Sequence, residues 1–113
     1  MIKIYGIRNC DTLKKTLKWF EANNVEFQFI DYKKQPPEEP LARAFIDAHG
    51  WETVINKRGT TWRKLDDETK NAVTDETAVS LIMQHPSMIK RPIIEQDGRF
   101  LIGYDETQFA QFI

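Results

Sequence analysis

Residues 2 to 29 carry a strand, a helix and a second strand, in that order, and this arrangement limits the fold more than any other feature of the chain. Ile2 to Ile7 is an apolar run of strand length. From about Asp11 to Ala22, Leu13, Leu17 and Phe20 recur at i, i+4, i+7, the spacing of one helix face. Lys14, Lys15 and Lys18 fall mostly outside that stripe. After Asn23-Asn24, apolar Val25, Phe27 and Phe29 alternate with Glu26 and Gln28, the period of a half-buried strand. Strand, helix and strand within about thirty residues form a βαβ unit, whose strands run parallel with a right-handed crossover.

The middle of the chain changes period. Gln35-Pro36-Pro37 breaks the pattern, and Glu38 to His49 then shows helical spacing through Leu41, Phe45 and Ala48, with Gly50 as its stop. Trp51 to Ile55 reads as a short turn, Asn56 to Thr61 as a polar loop, and Trp62 to Leu65 as another helical turn. Thr77 to Gln84 is helical, with Ala78, Leu81 and Ile82 inward, and ends before His85-Pro86. The last part returns to strands. Ile93-Ile94-Glu95 and Arg99 to Ile102 flank Gln96-Asp97-Gly98, and Asp-Gly between apolar runs is a hairpin signal. Asp105 reads as an N-cap with Gln108 three residues on, before inward Phe109 and Phe112. The expected architecture is α/β: a small mixed four-stranded sheet flanked by helices, with a helical insertion, about 36–86, between the βαβ and ββα halves of one domain spanning 1–113.

Net charge is −1, so no overall basic field draws the chain to nucleic acid or an anionic membrane. No apolar run nears the ~20 residues that span a bilayer, and the N-terminus reads as a strand rather than a signal segment. The chain has one cysteine, which fits a reducing cytoplasm and excludes a disulfide framework.

That cysteine, Cys10, stands where the first strand gives way to the first helix. The free N–H groups and positive end of a helix stabilise a thiolate. A buried structural cysteine is the plain alternative, but Arg8, Asn9, Asp11 and Thr12 make the surroundings polar. Spacing excludes several chemistries. Position 13 is Leu, so there is no Cys-x-x-Cys dithiol; position 16 is Thr, so there is no Cys-x5-Arg phosphatase loop; and no cysteine cluster exists for zinc. His49 and His85 lie on separate helical stretches and read as surface or cap residues. Pro92 opens an apolar strand, and the preceding Arg91 offers a planar fork for a carboxylate or oxyanion. A surface ion pair at a strand edge is the plain alternative for Arg91.

Taken together, Tyr5-Gly6-Ile7-Arg8-Asn9-Cys10-Asp11-Thr12, Arg58-Gly59-Thr60-Thr61-Trp62-Arg63 and Ile89-Lys90-Arg91-Pro92 resemble the arsenate reductase (ArsC)-like family, in its YffB branch near the Spx regulators. The resemblance runs through nearly the whole chain. It implies a thioredoxin-like fold, a cis bond at Pro92, Cys10 as nucleophile and Arg91 as the holder of an oxyanion beside it. Asn9, Thr12, Arg58 and Pro92 are the further candidates for the cleft. Other matches fail. Arsenate reductases that use glutathione have a second arginine where this chain has Asn56, a third where it has Gly103, and a histidine where it has Gly6. Each missing arginine removes charge-assisted hydrogen bonds worth roughly 1.5–3 kcal/mol apiece.

The resemblance therefore implies a glutathione-dependent thiol oxidoreductase with no bound cofactor and no metal, whose mixed disulfide is resolved by glutathione or another external thiol. A monomer is expected, although a lone exposed thiol can also join two copies on oxidation. The electrophile is an unspecified disulfide or oxyanion. Two other readings stay open: a regulator like Spx, which contacts RNA polymerase, and an arsenate reductase. Spx proteins often carry a Cys-x-x-Cys switch, which Leu13 removes here.

Overall fold

A computed structural model describes residues 1–113. The chain divides into two compact units, one built from residues 1–31 and 91–113, the other from residues 32–90.

The first unit holds a four-stranded sheet in the order β2-β1-β3-β4. Strand β1 is Ile2–Gly6, helix α1 Asp11–Ala22 and β2 Phe27–Asp31. β1 and β2 run parallel in register Ile2 to Phe27 and Gly6 to Asp31, as the βαβ reading requires. β3, Ile93–Gln96, pairs antiparallel with β1 through Ile4 and Ile94, and β4, Arg99–Ile102, pairs antiparallel with β3. The hairpin between them turns on Asp97 and Gly98, at φ 51° and 80°. Positive φ at both central residues is the type I′ requirement that Asp-Gly meets at low cost. Ile2, Ile4, Leu13, Phe20, Ile94 and Phe109 form the core. Aromatic rings extend it, with Phe20 5.2 Å from Phe109 and 5.9 Å from Phe27 between centroids. Offset and edge-on aromatic pairs of this kind add roughly 0.5–1.5 kcal/mol beyond their buried area.

The edges of these elements differ from expectation by one or two residues. Ile7 lies beyond β1, and Val25 precedes β2. The closing helix α7 is short, Glu106–Phe109, and a 3₁₀ turn over Ala110–Phe112 finishes it. Asp105 caps it, Oδ1 accepting from the N–H groups of Thr107 and Gln108 at 3.0 and 3.3 Å. Phe109 is buried and Phe112 partly so. This strand and helix order is the thioredoxin-like plan.

The second unit is helical: α2 Glu39–His49, α3 Trp51–Val54, α4 Thr60–Arg63, α5 Asp67–Asn71 and α6 Asp75–Gln84. α2 packs on α6. Ala42, Phe45, Ile46, Ala78, Val79 and Ile82 are buried there. Three features depart from the sequence reading. Helix α4 covers Thr60–Arg63 rather than Trp62 to Leu65, taking in the last two residues of the expected loop. Helix α5 is additional; every one of its residues is at least partly exposed, so no apolar stripe announced it. Helix α6 starts at Asp75 rather than Thr77, because Thr74 and Thr77 cap each other reciprocally across its first turn.

Candidate active site around Cys10

Strand β1 leads into a tight turn in which the Cys10 N–H donates to the Ile7 carbonyl at 3.1 Å. Cys10 then takes the N-cap position of α1, with extended backbone (φ −101°, ψ 126°), and its own carbonyl accepts the first helical bond from Lys14 at 3.0 Å. Strand end and helix start are held close by Gly6. A Cβ there would sit 2.7 Å from Cδ1 of the fully buried Leu13, which would have to shift.

Cys10 is half-buried and packs against the edge of the Ile2–Phe109 core. As a neutral thiol it makes no cap hydrogen bond. The thiolate is another matter. Burial, the largest single influence, pushes the thiol up. Against it stand the Leu13 N–H, the Arg91 side chain as hydrogen-bond donor, the Arg91 charge and the Thr12 N–H. Together they outweigh burial, and the Cys10 pKa falls below its ordinary value. A sulfur anion accepts strongly where a thiol accepts weakly, so these donors act on the ionised form alone.

The backbone N–H groups that act on the sulfur are those of Thr12 and Leu13. With Cys10 at N-cap, these are N2 and N3, the positions whose N–H groups face a capping side chain. Asn9 lies exposed in the turn before the helix, and Thr12 is exposed on its first turn, its carbonyl accepting from Thr16 Oγ1 at 2.8 Å.

Arg91 comes to Cys10 from the start of β3. Its peptide bond to the buried Pro92 is cis, as the resemblance implied. The Pro92 carbonyl in turn accepts from the Gly103 N–H at 2.9 Å. The structure thus brings Cys10, Thr12, Arg91 and Pro92 into one unit, with Asn9 at its rim. Arg58 belongs to the other unit, exposed in the loop before α4, its N–H donating to Asn56 Oδ1 at 3.2 Å.

Two positions where arsenate reductases differ have backbone reasons here. A histidine at position 6 meets the Leu13 clash. Position 103 has φ +92°, a conformation that side chains other than glycine's adopt only with strain. No group of three or more His, Cys, Asp or Glu is arranged to hold a metal ion, and no helix is long and apolar enough to cross a membrane.

Comparison with known proteins finds matches over nearly the whole chain. A family model described as the ArsC family matches residues 5–112. An uncharacterized protein of Haemophilus influenzae is 44% identical over 109 residues, covering 96% of each chain. The global transcriptional regulator Spx of Streptococcus mutans is 27% identical over all of this chain and 83% of its own. A solved structure named YFFB superposes with a TM-score of 0.94 at 39% identity, covering 99% of this chain and 98% of the other.

Proposed function

The chain belongs to the ArsC family, and from that premise and the Cys10 geometry we propose that it is a glutathione-dependent thiol oxidoreductase working through a single cysteine. The observation that carries the reading is the placement of Cys10 at the N-cap of α1, where the Leu13 and Thr12 N–H groups and Arg91 favour the thiolate against the opposing effect of burial. A lowered pKa raises the share of Cys10 present as thiolate, the nucleophilic form.

In the proposed cycle, the Cys10 thiolate attacks one sulfur of a substrate disulfide R–S–S–R′. A Cys10–S–S–R bond forms, the substrate S–S bond breaks, and R′–S⁻ leaves and takes a proton from water. The thiolate of glutathione then attacks the R sulfur, forming R–S–S–glutathione and returning Cys10 as thiolate. No internal thiol can do this, since the chain has one cysteine. Arg91 serves twice, holding the thiolate before attack and a carboxylate or oxyanion of the bound thiol afterwards. Asn9, Thr12, Pro92 and Arg58 are assigned to substrate binding, with no cofactor or metal required. The helical stretch, about 36–86, is read as an insertion into a single thioredoxin-like domain, and the protein is read as a cytoplasmic monomer, the cytoplasmic part being supported by its one free thiol.

Arsenate reduction is the weaker reading. Gly6 and Gly103 occupy two positions where arsenate reductases carry His and Arg, and both are glycine for reasons of backbone and packing. A Spx-like regulator that binds RNA polymerase is supported by the Spx relative and opposed by Leu13, whose buried side chain occupies the position of a second cysteine. Intact mass after incubation with oxidised glutathione tests the main reading. A single adduct on Cys10, removed by reduced glutathione with turnover, supports it. A thiol that forms no adduct, or a Cys10→Ser variant with undiminished thiol transfer, ends it.

A further inference from the structure

The second unit holds a cleft of its own, about 460 Å³, lined by Glu52, Ile55, Asn56, Lys57, Arg58 and Lys90. Its walls are pinned together. Ile55 and Ile89 form an isolated antiparallel bridge, the Asn56 N–H donates to the Met88 carbonyl at 2.8 Å, and the Lys90 N–H donates to the Val54 carbonyl at 2.8 Å. Ile55 and Ile89 are both buried. The bridge therefore fixes the Lys57–Arg58 loop against Lys90 by backbone bonds and apolar burial rather than by side-chain attraction.

Three cations thus face one cleft that holds a single carboxylate, leaving two positive charges there in a chain of net charge −1. No ion pair joins Lys57, Arg58 or Lys90 to an acid. Lys57 is instead held over the Trp51 ring, its Nζ 4.7 Å from the centroid, and Trp51 stacks on Trp62 at 5.9 Å. Asn56 Oδ1 is taken up by the Arg58 N–H, so its amide group offers donors to a ligand. Like charges brought together without counter-charge repel, and a compact anion removes that repulsion while accepting their hydrogen bonds. The volume falls within the range of small-molecule sites.

We propose that this cleft binds a compact small-molecule polyanion, one presenting several phosphate or carboxylate oxygens to Lys57, Arg58 and Lys90. Binding there does not need the Cys10 sulfur, and Cys10→Ser retains it.

The test is a ¹H–¹⁵N NMR titration at constant ionic strength, with pyrophosphate in one arm and citrate in the other, which distinguishes phosphate from carboxylate preference. The expected result is a saturable shift of the amides of 55–59 and of Lys90 with at least one probe. Lys57→Gln/Arg58→Gln, both at exposed positions, should keep a dispersed spectrum and weaken binding by about tenfold or more, the equivalent of losing at least one charge-assisted hydrogen bond. Arg43→Gln should leave the affinity unchanged. Shifts that rise linearly without saturation, or that survive the double substitution, or that vanish in Cys10→Ser, overturn the proposal.

Discussion

At the scale of single residues, Arg91 is the side chain through which a structural position becomes a chemical property. It opposes the effect of burial on Cys10 by both hydrogen bond and charge. Arg91→Leu removes both and leaves the Thr12 and Leu13 donors in place. The thiol titration, followed by thiolate ultraviolet absorbance, should move upward. Adduct formation with oxidised glutathione at neutral pH should slow roughly three- to tenfold, an amount reduced by the solvent that reaches a half-buried sulfur. The same shift makes stability depend on pH. A folded thiol pKa below the unfolded value of about 8.5 means that the unfolded chain binds more protons between the two values, so stability rises with pH through that window. The contribution is fully present above about pH 8.5 and is lost as pH falls through the folded pKa. Chemical denaturation of the native chain and of Cys10→Ser across that range should show their difference growing in favour of the native chain as pH rises; a constant difference contradicts the linkage. The place of Cys10 was legible in the sequence because a strand end, a lone thiol and a helix start are all local features. Its backbone donors were not legible, because the cap position that selects Thr12 and Leu13 depends on where the helix begins, and polar Asn9, Asp11 and Thr12 run across that boundary.

At the scale of elements, the first unit is held by contacts that look interchangeable in the sequence and are not. Gly6 and Gly103 read alike as glycines near strand ends. Gly6 is required by space: its Cβ would meet Leu13 Cδ1 at 2.7 Å and Cδ2 at 3.1 Å. Gly103 has open space around it and is required by its φ of +92°. Gly6→Ala should therefore cost about 1–3 kcal/mol through overpacking. Gly103→Ala should cost about 1–2 kcal/mol through backbone conformation. A Leu13→Val partner substitution should recover part of the first loss and none of the second, a comparison that denaturant midpoints settle. Asp105→Ala removes the acceptor of two N–H groups from a helix only four residues long, and should cost about 0.5–2 kcal/mol; an unchanged midpoint would mean that Phe109 docks α7 without its cap. The βαβ unit and the Asp97-Gly98 hairpin were readable because period and turn chemistry are local signals. Helix α5 was not, since a helix with no buried residue leaves no stripe. Helix α6 was read two residues short, since the Thr74–Thr77 box replaces the Glu or Gln that the usual pattern seeks.

At the scale of the molecule, connectivity divides the two units unequally. Residues 32–90 form one unbroken stretch, whereas the other unit is assembled from 1–31 and 91–113. Its central pairing, β1 with β3, joins those two segments through Ile4 and Ile94. If the continuous unit opens, that pairing must be maintained across a flexible loop of about sixty residues, whose closure costs on the order of 3–4 kcal/mol. If the discontinuous unit opens, the continuous one loses no chain closure of its own. Destabilisation should therefore pass in one direction. Ile46→Val, at a buried position of α2, should cost about 0.5–1.5 kcal/mol and lower the protection of amides in both units. Ile94→Val, at a buried position of β3, should cost a similar amount and lower protection in 1–31 and 91–113 alone. Native-state hydrogen exchange at increasing denaturant reads both arms residue by residue. Equal losses in both units from Ile94→Val would mean that the chain opens only as a whole, and that the division of the fold into two units has no energetic counterpart.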